Sequence, residues 1–121
     1  MTVLVTGAAG QLGRELVRSY SGDDRLVSLD RVGLNVTDRT AVHAAVRSIQ
    51  PSVIVNCAAW TDVDGCEGDP DRAFLVHADA HGFLREAASE IDAHVVQIST
   101  DYVFDGLVAV PYTETAGTNP L

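Results

Sequence analysis

A doubly wound α/β fold built on a parallel sheet is predicted by three features of the sequence. Short apolar, β-branched runs alternate with longer stretches in which apolar residues recur every three or four positions. A glycine-rich turn joins the first such run to the first helical stretch. The segment Ser52 to Cys57 is nearly continuous apolar sequence, the form expected of a strand buried on both faces. Strands and helices alternating at this spacing imply right-handed βαβ units, most simply with strand order 3-2-1-4.

The elements follow in order. Thr2 to Thr6 is the first strand, and Gly7-Ala8-Ala9-Gly10-Gln11-Leu12-Gly13 breaks it. Leu12, Leu16, Val17 and Tyr20 mark the first helix, which Ser21-Gly22-Asp23-Asp24 ends. Leu26 to Leu29 gives the second strand, with Asp30 at its carboxyl end. Thr37 or Asp38 serves as N-cap of a second helix, whose Val42, Ala45, Val46 and Ile49 share one face and which Pro51 terminates. After the third strand, Ala58 to Gly68 reads as a polar loop. Asp69 as N-cap and Pro70 at the first helical position open a long helix carrying Ala73, His77, Ala80, Leu84, Ala87 and Ile91 on one stripe. His94 to Ser99 is the fourth strand, and Gly106, Pro111, Gly117 and Pro120 mark irregular structure from Asp105 onward. There is no internal repeat and no linker.

At 121 residues the chain is one small domain of ordinary globular composition. Eight basic against seventeen acidic residues give a formal charge of −9, without a Lys/Arg cluster. A nucleic-acid backbone or anionic membrane is therefore not expected as a partner. A phosphate ligand stays open, because backbone amides at a helix start hold one without lysine. The N-terminus enters a strand at once with no export-signal pattern, so a cytoplasmic location is expected. Cys57 and Cys66 lack Cys-x-x-Cys spacing and read as reduced thiols, and no apolar stretch is long enough to span a bilayer.

The chemistry begins at the glycine turn. Gly7 permits a tight turn, Gly10 lets the backbone approach a pyrophosphate, and Gly13 lets the helix pack closely on the strand. A G-x-x-G-x-x-G string alone is weak; here it follows a strand and opens a helix, the context of a Rossmann-type dinucleotide site. Asp30 lies 23 positions after Gly7, close to the roughly 20-residue offset of the acidic side chain that meets a ribose 2′-hydroxyl. That favours NADH, whereas the neighbouring Arg31 suits the 2′-phosphate of NADPH; a solvated Asp-Arg pair at a strand end is the plainer alternative.

The glycine spacing, together with Asn56-Cys57-Ala58-Ala59 after the third strand, resembles the extended short-chain dehydrogenase/reductase family. Gly10 to Gly13, Pro51 to Asp64 and the string Ser99-Thr100-Asp101-Tyr102-Val103-Phe104-Asp105-Gly106 sharpen the likeness to the dTDP-4-dehydrorhamnose reductases. Pro111-Tyr112-x-Glu114 and Asn119-Pro120-Leu121 fit the same pattern. The resemblance implies reduction of the 4-keto group of dTDP-4-dehydro-L-rhamnose to dTDP-L-rhamnose by NADH or NADPH. It places Gly10, Gln11 and Leu12 along the pyrophosphate, Asp30 at the adenosine ribose, Asn35 and Val36 at the adenine, and Ala58, Ala59 and Trp60 at the middle of the cofactor. Thr100 and Asp101 would stand beside the nicotinamide and the sugar. A hydroxyl at Thr100 makes chemical sense, since hydride delivery to a ketone creates an alkoxide that a donor stabilises, and Asp101 would tune proton affinity nearby.

In that family a tyrosine supplies the proton, acidified by a lysine four residues later. This sequence has no Tyr-x-x-x-Lys and no lysine. Tyr102 and Tyr112 have no cation at helical spacing to lower a phenol pKa near 10. The expectation is thus an incomplete, N-terminal half of the Rossmann domain, inactive alone, whose full-length form binds a dTDP-sugar and leaves room for a homodimer. A non-catalytic NADP(H)-binding regulator, resembling the regulatory subunit of methionine adenosyltransferase, and another sugar-nucleotide 4-ketoreductase are the alternatives. His77 stands where the family usually carries asparagine. His77 and His81 have the spacing of helical metal ligands but no third ligand, and read as ordinary helix residues. Trp60 suits packing as well as cofactor contact.

Overall fold

The computed structural model describes residues 1–22 and 25–120; Asp23 and Asp24 of the predicted helix stop, and Leu121 of the closing motif, lie outside the described residues. Four strands, β1 (Thr2–Thr6), β2 (Arg25–Leu29), β3 (Val53–Asn56) and β4 (His94–Gln97), form one parallel sheet in the order β2-β1-β3-β4. The parallel sheet matches expectation and the order 3-2-1-4 does not. After β2 the chain makes no neighbouring strand. Leu34 and Val36 are buried instead, and helix α2 (Arg39–Ile49) carries the chain across to the other side of β1. The two crossovers, through α1 (Gln11–Ser19) and α2, lead to opposite sides of β1. The carboxyl ends of β1 and β3 therefore flank the point where the winding reverses, the place where open α/β sheets bind ligands.

The core lies on one face of the sheet. Leu4 and Ile54 point there and pack with Val42 and Val46 of α2 and Leu84 of α5 (Ala80–Ser89), all fully buried. Each such side chain contributes roughly 1.5–3 kcal/mol relative to exposure. Strand alternation turns Val3 and Val5 to the opposite face, which α1 covers over β1. Val53 and Val55 of β3 share that face and are only half-buried. The expectation of a strand buried on both faces thus holds fully for one face alone.

Local chemistry sets the helix ends. Asp38, not Thr37, caps α2, accepting from Ala41 N at 3.0 Å. The helix closes on Gln50, which takes a left-handed φ of 52° just before Pro51. Within the predicted polar loop 58–68 lies a short helix, α3 (Val63–Gly68), started by Asp62 accepting from Gly65 N at 3.0 Å. The expected long helix is divided: α4 (Pro70–Phe74), a π-helical turn at Leu75–Asp79, then α5. Asp69 caps α4 by accepting from Arg72 N at 3.1 Å. A π turn widens the helix locally and re-aims the side chains around it.

Two further devices hold the sheet and its helical cover. At the carboxyl end of the strands Thr6 Oγ1 donates to Asn56 Oδ1 at 2.5 Å, and Asn56 Nδ2 donates to Gln97 Oε1 at 2.8 Å, a polar ladder across β1, β3 and β4. Thr6 and Asn56 are buried. Along the α2–α5 seam Arg39 meets Glu86 at 2.9 Å and Arg47 meets Glu90 at 2.9 Å, while His43 Nδ1 lies 3.0 Å from Glu90.

Candidate functional site

The turn after β1 is shaped by what a side chain would hit. Gly7 has φ +65°, and a Cβ there would lie 2.5 Å from the Ala58 nitrogen. The β1 turn and the loop after β3 thus meet backbone to backbone at the winding reversal. The Gly7 carbonyl accepts from Gly10 N at 3.0 Å, and a Cβ on buried Gly13 would run into that same carbonyl, so α1 packs directly on the turn. Gly10 is the N-cap of α1, with no side chain capping it and no acidic residue in the first turn. The first-turn amides have no intrahelical acceptor, and the helix dipole adds partial positive charge there.

These elements enclose a cleft of about 410 Å³, within the range of small-molecule sites. Gly7, Ala9 and Gly10 form one wall. Arg31 and the segment Leu34 to Thr37 supply another. Cys57, Ala58, Ala59 and Trp60 follow β3 into it, and Arg72, Leu75 and Val76 close it from α4 and the π turn. No lining residue is acidic and two are arginines, in a chain where acids outnumber bases seventeen to eight. Among the described residues neither Arg31 nor Arg72 is in an ion pair. The cleft is therefore suited to an anionic ligand.

Trp60 is held at both ends. Its carbonyl lies 3.0 Å from His77 Nε2 and accepts from Cys66 Sγ at 3.6 Å, and the Arg72 guanidinium sits 4.0 Å from its ring centroid. Asn56 reaches the same loop, its Oδ1 accepting from Ala58 N at 3.2 Å.

A family profile described as RmlD substrate binding domain matches residues 1–121. The chain belongs to that family. It is 44% identical to a dTDP-4-dehydrorhamnose reductase of Streptomyces griseus over 97% of this chain and 39% of that protein. It is 43% identical to a dTDP-4-keto-6-deoxy-D-glucose reductase of Streptomyces niveus, over 98% of this chain and 41% of that protein. A solved dTDP-4-dehydrorhamnose reductase from Bacillus anthracis, in complex with NADP, superposes with a TM-score of 0.94 at 34% identity, covering 98% of this chain and 43% of that one. The chain spans about two fifths of the length of these curated relatives.

Within this member of the RmlD family the candidate residues divide into four places. Gly7, Gly10, Arg31, Asn35, Val36, Ala58, Ala59 and Trp60 come together on the cleft. Gln11 and Leu12 are exposed at the start of α1, beside the cleft wall rather than on it. Asp30 lines a second, shallower hollow of about 360 Å³ with Ser28 and Gly33. Its Oδ1 accepts from Val32 N at 3.0 Å and Gly33 N at 2.8 Å, so part of the carboxylate is committed to its own turn. Asn35 likewise accepts from Thr37 N at 3.2 Å and Thr37 Oγ1 at 2.9 Å.

Thr100 and Asp101 stand apart from the cleft, past the end of β4. There Thr100 caps a 3₁₀ turn (Asp101–Val103), accepting from Tyr102 N at 3.3 Å and donating to Asp101 Oδ1 at 3.2 Å. Nearby, Asp105 accepts from Tyr112 Oη at 3.1 Å, Asn119 Nδ2 at 2.9 Å and Leu107 N at 3.0 Å. The Asn119 bond first, then that amide, holds its carboxyl below the usual range. Phe104 and Tyr112 stack at 4.1 Å, so the Pro-Tyr motif closes this loop.

Besides Leu34, the cleft residues absent from the sequence reading are Arg72, Leu75 and Val76, on α4 and the π turn. Their spacing of three and then one puts them on one helix face, a signal masked by the apolar stripe through Ala73 and Ala80. Cys57 lines the cleft too, and burial pushes its thiol pKa up, which keeps it protonated and unreactive at neutral pH.

Proposed function

We propose that the chain is the dinucleotide-binding part of a nucleotide-sugar 4-ketoreductase and that it takes NADPH in preference to NADH. The carrying observation is the acid-free cleft between the β1 turn and the post-β3 loop, with two guanidiniums in its wall and the open N-terminus of α1 beside it. Gly7, Gly10 and the amides of Gln11 and Leu12 would hold the diphosphate. Asn35 and Val36 would meet the adenine, and Ala58, Ala59 and Trp60 the middle of the cofactor. Arg31 faces the cleft whereas Asp30 lies outside it with one oxygen engaged, an arrangement that favours a 2′-phosphate over a bare ribose. With the cofactor bound in this way, the site would have a hydride source for the keto carbon of the substrate. Thr100 would donate its one hydroxyl hydrogen to the developing alkoxide, turning it away from Asp101, whose Oδ1 accepts it in this structure.

The substrate is a dTDP-linked 4-keto-6-deoxysugar, dTDP-4-dehydro-L-rhamnose in the first instance. A second sugar stays on the same footing, since the relative from Streptomyces niveus is named for dTDP-4-keto-6-deoxy-D-glucose at 43% identity. Neither a Tyr-x-x-x-Lys nor any lysine occurs in the 121 residues, so the chain alone binds cofactor without turning substrate over. Its two free thiols suit a reducing compartment, the cytoplasm.

Calorimetric titration with NADPH and NADH tests this reading. NADPH should bind more tightly, and Arg31→Ala should bring the two affinities together. A folded chain that binds neither nucleotide would refute the proposal. NADPH oxidation by the isolated chain with the 4-keto sugar would refute its lack of a proton donor.

A further inference from the structure

We propose that Arg72, stacked on Trp60, is a diphosphate-binding residue of the cleft. The inference rests on the dinucleotide reading above and adds a residue to it. A guanidinium at the wall of a site ordinarily finds a carboxylate in a chain of charge −9, yet Arg72 is in no ion pair among the described residues. The acid next to its own amide, Asp69, spends Oδ1 on capping α4. What Arg72 has instead is an aromatic platform, with its Cζ 4.0 Å from the Trp60 ring centroid. A guanidinium held over the ring through its face keeps its N–H edges free for a multidentate oxyanion such as a diphosphate.

The platform is itself fixed. His77 Nε2 lies 3.0 Å from the Trp60 carbonyl, and Gly65 comes so near that a Cβ there would lie 2.8 Å from Trp60 Cζ2. Arg72 is thereby oriented before any ligand arrives, which lowers the entropy lost on binding. Arg31 enters the same cleft from the β2 side, so the site offers two cations to a ligand with two separated anionic groups: a 2′-phosphate for Arg31 and a diphosphate for Arg72. A diphosphate ester is carried both by the dinucleotide and by a nucleotide-sugar.

Trp60 is the single tryptophan of the sequence, so energy transfer from its emission to bound NADPH reports on this corner of the cleft directly. The purified chain and its Arg72→Gln and Arg72→Lys variants are titrated with NADPH, with dTDP, and with adenosine 2′-phosphate, whose binding is followed by calorimetry. Losing a charge-assisted contact should weaken NADPH about ten- to hundredfold in Arg72→Gln, Arg72→Lys should recover part of the loss, and adenosine 2′-phosphate should bind all three alike. A loss confined to dTDP upholds the diphosphate role and assigns it to the nucleotide-sugar. Unchanged NADPH and dTDP affinity in Arg72→Gln overturns the inference, and so does an equal loss for adenosine 2′-phosphate, which would mark a purely structural role. A wild-type chain that binds no pyridine nucleotide instead brings down the parent reading. Arg72 is exposed on a five-residue helix, and a cooperative melt of each variant verifies the fold.

Discussion

Gly7 carries more of the site than any other single position. Its φ of +65° would strain any other residue, and a Cβ there would lie 2.5 Å from the Ala58 nitrogen, which leaves no room for a methyl group. Gly7→Ala should destabilise the chain by about 1–3 kcal/mol through backbone strain alone and abolish NADPH binding by pushing the two loops apart. A denaturation midpoint and an NADPH affinity equal to wild type would contradict this. The glycine turn was legible in the sequence because its requirement is local: a backbone that must turn and approach has only one residue type to use. Arg72 was not, because its place depends on Trp60, twelve positions upstream, and on the π turn that follows it.

At the scale of elements the α2–α5 seam sets the response to acid. The hydrogen bond from Arg47 holds the Glu90 carboxyl below its ordinary range, and that from Arg39 does the same for Glu86. Such pairing stabilises above the unfolded carboxylate pKa near 4.5 and fades as pH falls through the lowered folded values. Within α5, burial first and His77 second lower the His81 pKa from 6.5. The unfolded chain then takes up that proton more readily than the folded one, so the His81 contribution is complete above pH 6.5 and declines below it. Melting temperature should therefore fall in two stages, and His81→Gln should remove the upper stage only; an unchanged pH profile would exclude His81 as its source. The elements themselves were largely readable, because caps such as Asp38 and Asp69 and breakers such as Pro51 act over one turn. Strand order was not, since which side of β1 receives the third strand depends on the burial of Leu34 and Val36, a tertiary event. The π turn escaped for a related reason: apolar periodicity continues on both sides of it.

For the molecule as a whole, β4 lies at the sheet edge, and Val96 and Ile98 at its end are 39% and 41% exposed. An uncharged edge beside apolar side chains invites pairing between copies. Light scattering should show concentration-dependent association, and Val96→Lys should reduce it; a sharp monomeric peak with cooperative melting for the wild type would contradict the expectation. The nucleotide side of the site was visible from the sequence because it hangs on one contiguous motif. The reactive side around Thr100 owed its visibility to family resemblance, and Thr100 and Asp101 are not among the residues that line the cleft.

The hydrogen-bonded row Thr6–Asn56–Gln97 acts as a vernier for the three strands it crosses. Sliding β3 by two residues along β1 would keep each apolar side chain on its own face, but would set the Thr6 hydroxyl opposite Ile54 and strand it without an acceptor, at a cost of roughly 1–3 kcal/mol. Hydrophobic alternation alone cannot tell those alignments apart. The row does, and so the loops leaving β1 and β3 reach the rim in phase, Gly7 always level with Ala58.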